Sequence, residues 1–173
     1  MINGRLFALL EKFLNSMIEF LEEHLLAGYI GPSKSSFTAG TWMIPKKDLS
    51  AMPCVVHDYS ALNENIVKDH ISLLCQDLII CQLAKAKYHG KLDWPNSYYQ
   101  MAMHSNDVPK MAFKTPFGLF EWLVMLQGLC NVLTTWQQFM NWVLWKYVGK
   151  ICHIYIDDIA IFSDSLLEHH QNI

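Results

Sequence analysis

Residues 151–162 read Ile151-Cys152-His153-Ile154-Tyr155-Ile156-Asp157-Asp158-Ile159-Ala160-Ile161-Phe162. Two apolar arms flank a pair of adjacent carboxylates. The arms, Ile151 to Tyr155 and Ile159 to Phe162, predict two strands, and Asp157-Asp158 predicts a tight acidic turn between them. Burying two unpaired carboxylates is costly. A divalent cation would remove that cost; an exposed β-turn, where Asp is common, would avoid it. The tetrapeptide Tyr155 to Asp158 alone leaves both readings standing.

A further acidic position shifts the balance. Tyr88 to Trp94 predicts a strand stopped by Pro95, which can occupy the first turn of a helix. Asp93 stands at the end of that strand, 64 residues before Asp157, far enough for a different strand of one sheet. Carboxylates converging from adjacent strands make a hard-oxygen site suited to Mg²⁺. Two such ions, roughly 3.5–4 Å apart, would clamp the attacking and leaving oxygens of a phosphoryl transfer.

Outward from this stretch the chain mixes helices and strands without regular β-α-β alternation, so the predicted class is α+β. Leu6, Leu10, Phe13, Met17, Phe20 and Leu21 predict an amphipathic helix over 5–27, stopped by Gly28. Trp42 to Pro45 and Cys54 to Val56 predict a hairpin whose polar turn is Lys46-Lys47-Asp48; alone, that turn reads as a solvated tip. Residues 58–68 read as a linker, and a helix is expected near Gln76 to Leu83. Met111 to Thr115 and Phe120 to Met125 predict a second hairpin around Pro116-Phe117-Gly118. Helices are expected over 131–148, with Trp136 and Met140 on its apolar face, and over 165–172.

The chain of 173 residues is 52% hydrophobic and 17% charged, with a net charge of -3. General disorder is excluded by that apolar content and small net charge. The charge content is below the roughly 25% of ordinary soluble domains, so greasy surface is expected. Twelve lysines and one arginine, Arg5, stand against 16 acidic residues, which argues against a simple nucleic-acid binder with a global basic face. Five cysteines without ligand spacing (Cys54, Cys75, Cys81, Cys130, Cys152) read as reduced, buried small hydrophobes of an intracellular, non-secreted protein. No membrane span is expected. His169-His170 with Glu168 reads as two solvated histidines pointing apart, and Trp122, Trp136 and Trp142 read as core.

Taken in order, many blocks of this sequence resemble the reverse transcriptase of gypsy-type LTR retrotransposons. They include Gly28-Tyr29-Ile30, Lys46-Lys47-Asp48, Asp58-Tyr59-Ser60-Ala61-Leu62-Asn63 and Lys91-Leu92-Asp93. Tyr98 with Gln100, Pro109 to Phe113, Phe117 to Met125, Gly128-Leu129, Asn131, Gln137 and the Tyr155-Ile156-Asp157-Asp158 box follow. The resemblance implies the fingers and partial palm of a right-hand polymerase, with an antiparallel palm sheet packed on helices. It divides the chain into an N-terminal helix, 1–28, and fingers and palm, 29–173, with thumb and RNase H absent. It implies an RNA-directed DNA polymerase in which Asp93 and Asp157 bind two Mg²⁺, or Mn²⁺, and Asp158 is the third carboxylate. Tyr98 matches the aromatic under the incoming sugar, which excludes a 2′-hydroxyl; on its own it also reads as a core tyrosine. Gln127 and Gly128 match the strip beside the incoming nucleotide, and Lys46 and Lys47 match fingers-tip lysines that reach the triphosphate. The implied partners are an RNA or DNA template with a DNA primer, deoxynucleoside triphosphates, and the rest of a polyprotein carrying thumb, RNase H and integrase.

The departures are specific. The family's triphosphate-binding Arg has no counterpart in Ala51 to His57, and Lys would not replace its bidentate contact. The Arg of the family's D-Y-R is Ser60, and the D-L-R-S-G-Y stretch is Asp93-Trp94-Pro95-Asn96-Ser97-Tyr98, which loses another Arg. A second reading therefore stands beside the enzyme: an inactive retroelement remnant that at most binds nucleic acid or protein.

Overall fold

The structure, a computed structural model, describes residues 13–48, 51–69 and 76–173. The chain forms two compact units, one of residues 1–67 and 98–130, the other of residues 68–97 and 131–173.

In the first unit, helix α1 spans Leu14–Leu26 and buries Met17, Phe20 and Leu21, the three- and four-residue stripe expected of one helix face. It ends as the sequence predicts. Gly28 takes φ +73, its N–H donates to the Leu25 carbonyl and the Tyr29 N–H to the His24 carbonyl, a Schellman closure that needs a left-handed residue. Residues 5–12 of the predicted helix, with Leu6 and Leu10, lie outside the described residues. Strand β1 (Ile30–Pro32), hairpin β2 (Gly40–Ile44) and β3 (Cys54–Asp58), and hairpin β5 (Ala112–Thr115) and β6 (Gly118–Trp122) complete the unit. Strands order as β1-β6-β5 in one antiparallel sheet and β2-β3 in another. Met17, Phe20, Ile30, Phe113 and Trp122 share its core.

Three expectations need correction here. Residues 58–68 are not all linker: helix α2, Ser60–Asn63, forms a single turn, started where the Asp58 carboxylate accepts from the Ser60 N–H at 2.9 Å and Tyr59 is buried. Four residues are too few to show a helical period. Thr115 pairs directly with Gly118, so the hairpin loop is Pro116-Phe117 and Gly118, at φ +136, opens β6. Cys54, the first residue of β3, is exposed, and Cys130, in the turn before helix 132–143, is half-buried.

In the second unit, β4 (Tyr88–Asp93), β7 (Cys152–Tyr155) and β8 (Asp158–Ser163) form an antiparallel sheet in the order β4-β8-β7. Residues alternate along β8: Ile159, Ile161 and Ser163 are buried, while Asp158, Ala160 and Phe162 are half-exposed. Helix α4, Val132–Val143, lays Val132, Trp136, Gln137 and Met140 inward. Helix α3 is Gln76–Leu83, as the sequence predicts. Helix α5, Leu166–Asn172, is capped by Ser165, whose hydroxyl accepts from the Glu168 N–H.

The corrections in this unit have clear causes. Pro95 stands in a turn, and a 3-10 turn, Ser97–Gln100, follows it. α4 closes at Val143, five residues before the predicted end. Trp142, within α4 but on the face opposite Met140, is 73% exposed where core was expected. His169 is buried, its Nδ1 3.2 Å from the Ser163 hydroxyl, while His170 faces solvent. Of the described cysteines only Cys152 is buried, and Cys81 is exposed; Cys75 lies outside the described residues. Leu26, Val67, Trp145 and Leu167 add to the exposed apolar surface that the low charge content predicts. Among the described residues no helix is long and apolar enough to cross a membrane.

Candidate active site

The acidic stretch folds one residue out of its predicted phase. Tyr155 pairs with Asp158 across β7 and β8, so the two-residue loop is Ile156-Asp157 and Asp158 is the first residue of β8. Ile156 has φ 57, while Asp157 does not join it in the left-handed region. Positive φ at the first loop position alone is the type II′ pattern, whose twist suits a hairpin. A β-branched residue there is strained, by roughly 1–2 kcal/mol.

Helix α4 holds that turn from behind. The Gln137 side chain accepts from the Ile156 N–H at 2.9 Å and donates to the Ile154 carbonyl at 3.0 Å. The Trp136 indole N–H donates to the Ile156 carbonyl at 3.0 Å. Trp136 is 1% exposed and Gln137 2%. A buried amide with both ends engaged fixes backbone direction more tightly than apolar contact does. The sequence reading assigned neither residue this task, although a Gln inside the apolar stripe of α4 was the visible signal.

The shifted turn separates the two carboxylates. Asp158 pairs in register with Asp93 on β4, and cross-strand partners share a face. Like charges directly opposite repel, and Lys91, two residues before Asp93 on that face, answers them. Its ammonium lies 2.8 Å from an Asp158 oxygen. The hydrogen bond to Asp158, then the charge of Asp158, and more weakly that of Asp93, raise the Lys91 pKa. Asp157, on the loop, accepts instead from the buried Ser97 hydroxyl at 2.7 Å. On the same open face Tyr155 meets the Gln76 amide and His153 the Gln82 side chain, both on α3.

Asp93, Asp157 and Asp158 thus gather at one end of one sheet. Among the described residues no three His, Cys, Asp or Glu side chains already surround a common point. The donors are nonetheless of the right kind for a hard divalent ion, carboxylate oxygens from adjacent strands. At Asp158 the negative charge is already paired, with the Lys91 ammonium 2.8 Å from one carboxylate oxygen.

The remaining sequence-predicted residues belong to the first unit. Lys46 and Lys47 are exposed beyond the end of β2. Tyr98 is 5% exposed, the burial expected of a core tyrosine. Gln127 and Gly128 are exposed, and Gly128 takes φ +102. Asn63, given no role from the sequence, braces that strip: its amide donates to the Gly128 carbonyl at 2.8 Å and accepts from the Cys130 N–H at 2.9 Å.

Comparison with known proteins agrees with this architecture. The family model "Reverse transcriptase (RNA-dependent DNA polymerase)" matches residues 44–173. The Retrovirus-related Pol polyprotein from transposon 297 of Drosophila melanogaster is 38% identical over 156 residues, 88% of this chain and 15% of that protein. The corresponding polyprotein from transposon gypsy of the same species is 32% identical over 165 residues, 93% of this chain and 16% of that protein. This chain therefore spans about a sixth of those relatives. A foamy viral protease-reverse transcriptase solved in complex with an RNA/DNA hybrid superimposes with a TM-score of 0.85 at 20% identity, covering 97% of this chain and 22% of that one. The fold is that of reverse transcriptase fingers and palm, and its acidic hairpin, clamped by α4 and opposed by Asp93, is the part the sequence singled out first. With three quarters of its length matched by the family model, the chain belongs to the reverse transcriptase (RNA-dependent DNA polymerase) family.

Proposed function

We propose that this chain is the RNA-directed DNA polymerase domain of a retrotransposon polyprotein and that it joins deoxynucleotides to a primer 3′-hydroxyl. Enzymes of this family generally use divalent metal ions. The observation that carries the reading is the register pairing of Asp93 with Asp158 beside the loop carboxylate of Asp157. In it Asp93 and Asp157 would hold two Mg²⁺, with Asp158 assisting. Such ions, when bound, would supply Lewis-acid activation of the attacking oxygen and charge neutralisation on the leaving group.

The chain's own residues then have separate tasks. The 3′-oxygen forms a bond to the α-phosphorus, the bond to pyrophosphate breaks, and the hydroxyl proton leaves to solvent or a carboxylate. Lys46 and Lys47 meet the triphosphate, Tyr98 excludes a 2′-hydroxyl, and Gln127 and Gly128 border the nucleotide. A template with a DNA primer is the substrate, supported by structural neighbours solved with double-stranded DNA and with an RNA/DNA hybrid. Thumb, RNase H and integrase activities would come from a longer polyprotein.

Primer extension on an RNA template tests this. Wild type is expected to extend with Mg²⁺ or Mn²⁺, and Asp157→Asn to lose at least about 100-fold of that activity. Equal extension by the two would overturn the reading. The absence of arginine from residues 51–57, 60 and 95 favours a second reading, a folded chain that has lost the chemistry. A cooperative melt with no Mg²⁺-dependent deoxynucleotide binding by calorimetry would select it.

A further inference from the structure

Asp157 is held by a residue that the family pattern does not supply. In the D-L-R-S-G-Y stretch the place before Tyr98 is Gly; here it is Ser97. Its hydroxyl donates to an Asp157 oxygen at 2.7 Å, 60 residues away in sequence, and the residue is 3% exposed. We propose that Ser97 is a positioning residue that presets the Asp157 carboxylate for a divalent cation. This rests on the two-metal reading above.

Local structure aims the hydroxyl. Strand β4 ends at Asp93, and the turn that follows places Asn96 at φ 53, a conformation Asn tolerates better than most residues. Ser97 then opens a 3-10 turn. One short segment, 93–97, thereby carries both a candidate ligand, Asp93, and the donor that sets a second one, Asp157. The backbone on the other side of Asp157 is fixed already, because Ile156 is held by Trp136 and Gln137. The remaining freedom of Asp157 is rotation of its side chain, and the Ser97 bond removes it.

The chemistry of the donor matters. A neutral hydroxyl occupies one lone pair of one oxygen and leaves the other oxygen and the full negative charge for a cation. Lys91 does the opposite at Asp158, neutralising the charge a metal would use. The two adjacent carboxylates are therefore unequal: Asp157 is oriented and charged, and Asp158 is paired. Partners of metal ligands that fix orientation in this way typically contribute 10–100-fold to affinity.

Mn²⁺ titration of the purified 173-residue chain, read by the electron paramagnetic resonance of free Mn²⁺, tests the assignment. Wild type, Ser97→Ala, Asp157→Asn and the double variant are compared. Alanine is the smaller side chain, so the fold is retained, and thermal melts check it. Ser97→Ala is expected to weaken Mn²⁺ binding about tenfold and to have no further effect on the Asp157→Asn background. Asp157-dependent binding that Ser97→Ala leaves unchanged would overturn this proposal alone. Binding that Asp157→Asn leaves unchanged would overturn the two-metal reading and this proposal with it. A Ser97→Ala effect that persists undiminished on the Asp157→Asn background would show that the serine acts elsewhere, and would also overturn it.

Discussion

The β2–β3 hairpin and the β7–β8 hairpin both carry charge near their tips, basic in one and acidic in the other, and they are secured at opposite ends. β7–β8 turns in two residues, and α4 grips the turn itself through Trp136 and Gln137. β2–β3 pairs from Gly40↔Asp58 to Ile44↔Cys54, leaving nine residues, 45–53, to connect the strands. Its anchor is near the root, where His57 sits opposite Thr41 and receives the Trp122 indole N–H at 3.2 Å. Lys46 and Lys47 make no hydrogen bond or ion pair among the described residues. A carboxylate that must meet a cation needs a fixed position, whereas a lysine that reaches for a charged ligand works through its long side chain and point charge. The placement of the anchors follows that division.

The comparison breaks most readily at α4. Gln137→Leu leaves the Ile156 N–H and the Ile154 carbonyl without partners, at roughly 1–3 kcal/mol for each buried group. Trp136→Ala removes a fully buried side chain as well as its hydrogen bond, and is expected to cost about 3–5 kcal/mol. Urea unfolding measures both. Losses below about 1 kcal/mol would mean that the acidic tip is not held from behind.

The next effect sharpens the comparison at the root of β2–β3. An indole N–H only donates, so His57 Nε2 is unprotonated and the proton lies on Nδ1, 3.0 Å from the Thr41 hydroxyl oxygen. The ring packs against Phe113 and near Trp122 and Tyr59. Although the residue keeps some exposed surface, burial of the ring, and secondarily the charge of His24, bring its pKa from 6.5 down to about 3. The unfolded chain therefore binds the proton first. Stability from this group is complete above pH 6.5 and falls as pH drops towards 3. The slope is at most about 1.4 kcal/mol per pH unit. His57→Gln should remove this component, so its stability difference from wild type shrinks on acidification. A difference that stays constant between pH 7 and pH 4 would show that His57 titrates normally.

These two anchors also mark what the sequence made legible. The arms of both hairpins, α3 and the Gly28 stop were readable because apolar alternation and helix-ending chemistry are local. The phase of the acidic turn was not. Asp is the ordinary turn residue and Ile one of the least suited to positive φ, so local preference put Asp157-Asp158 in the loop. Contacts from α4, about 20 residues earlier, reverse that preference. The pairing of Asp93 with Asp158 was foreseen only as a shared sheet. The Lys91 ion pair and the Ser97 bond depend on register, which spacing alone does not specify. Trp142 is exposed because it stands two residues, roughly 200° of helix, from Met140 and so falls off the buried stripe of Val132, Trp136 and Met140; its aromatic character alone suggested core.

The smallest expected effect concerns the lysines. Exposed side chains without partners contribute little to folding, so the Lys46→Ala, Lys47→Ala double variant should keep its stability within about 0.5 kcal/mol of wild type. Deoxynucleotide binding should behave differently. A charge-assisted contact is worth about 1.5–3 kcal/mol, and each 1.4 kcal/mol is about a factor of ten. The double variant should therefore bind triphosphate at least about tenfold more weakly, with a shallower salt dependence, by calorimetry. A stability loss above about 1 kcal/mol would make this tip a structural element like the acidic one. Unchanged stability with unchanged binding would remove Lys46 and Lys47 from the nucleotide site and leave the acidic hairpin as the part of the chain equipped for the chemistry.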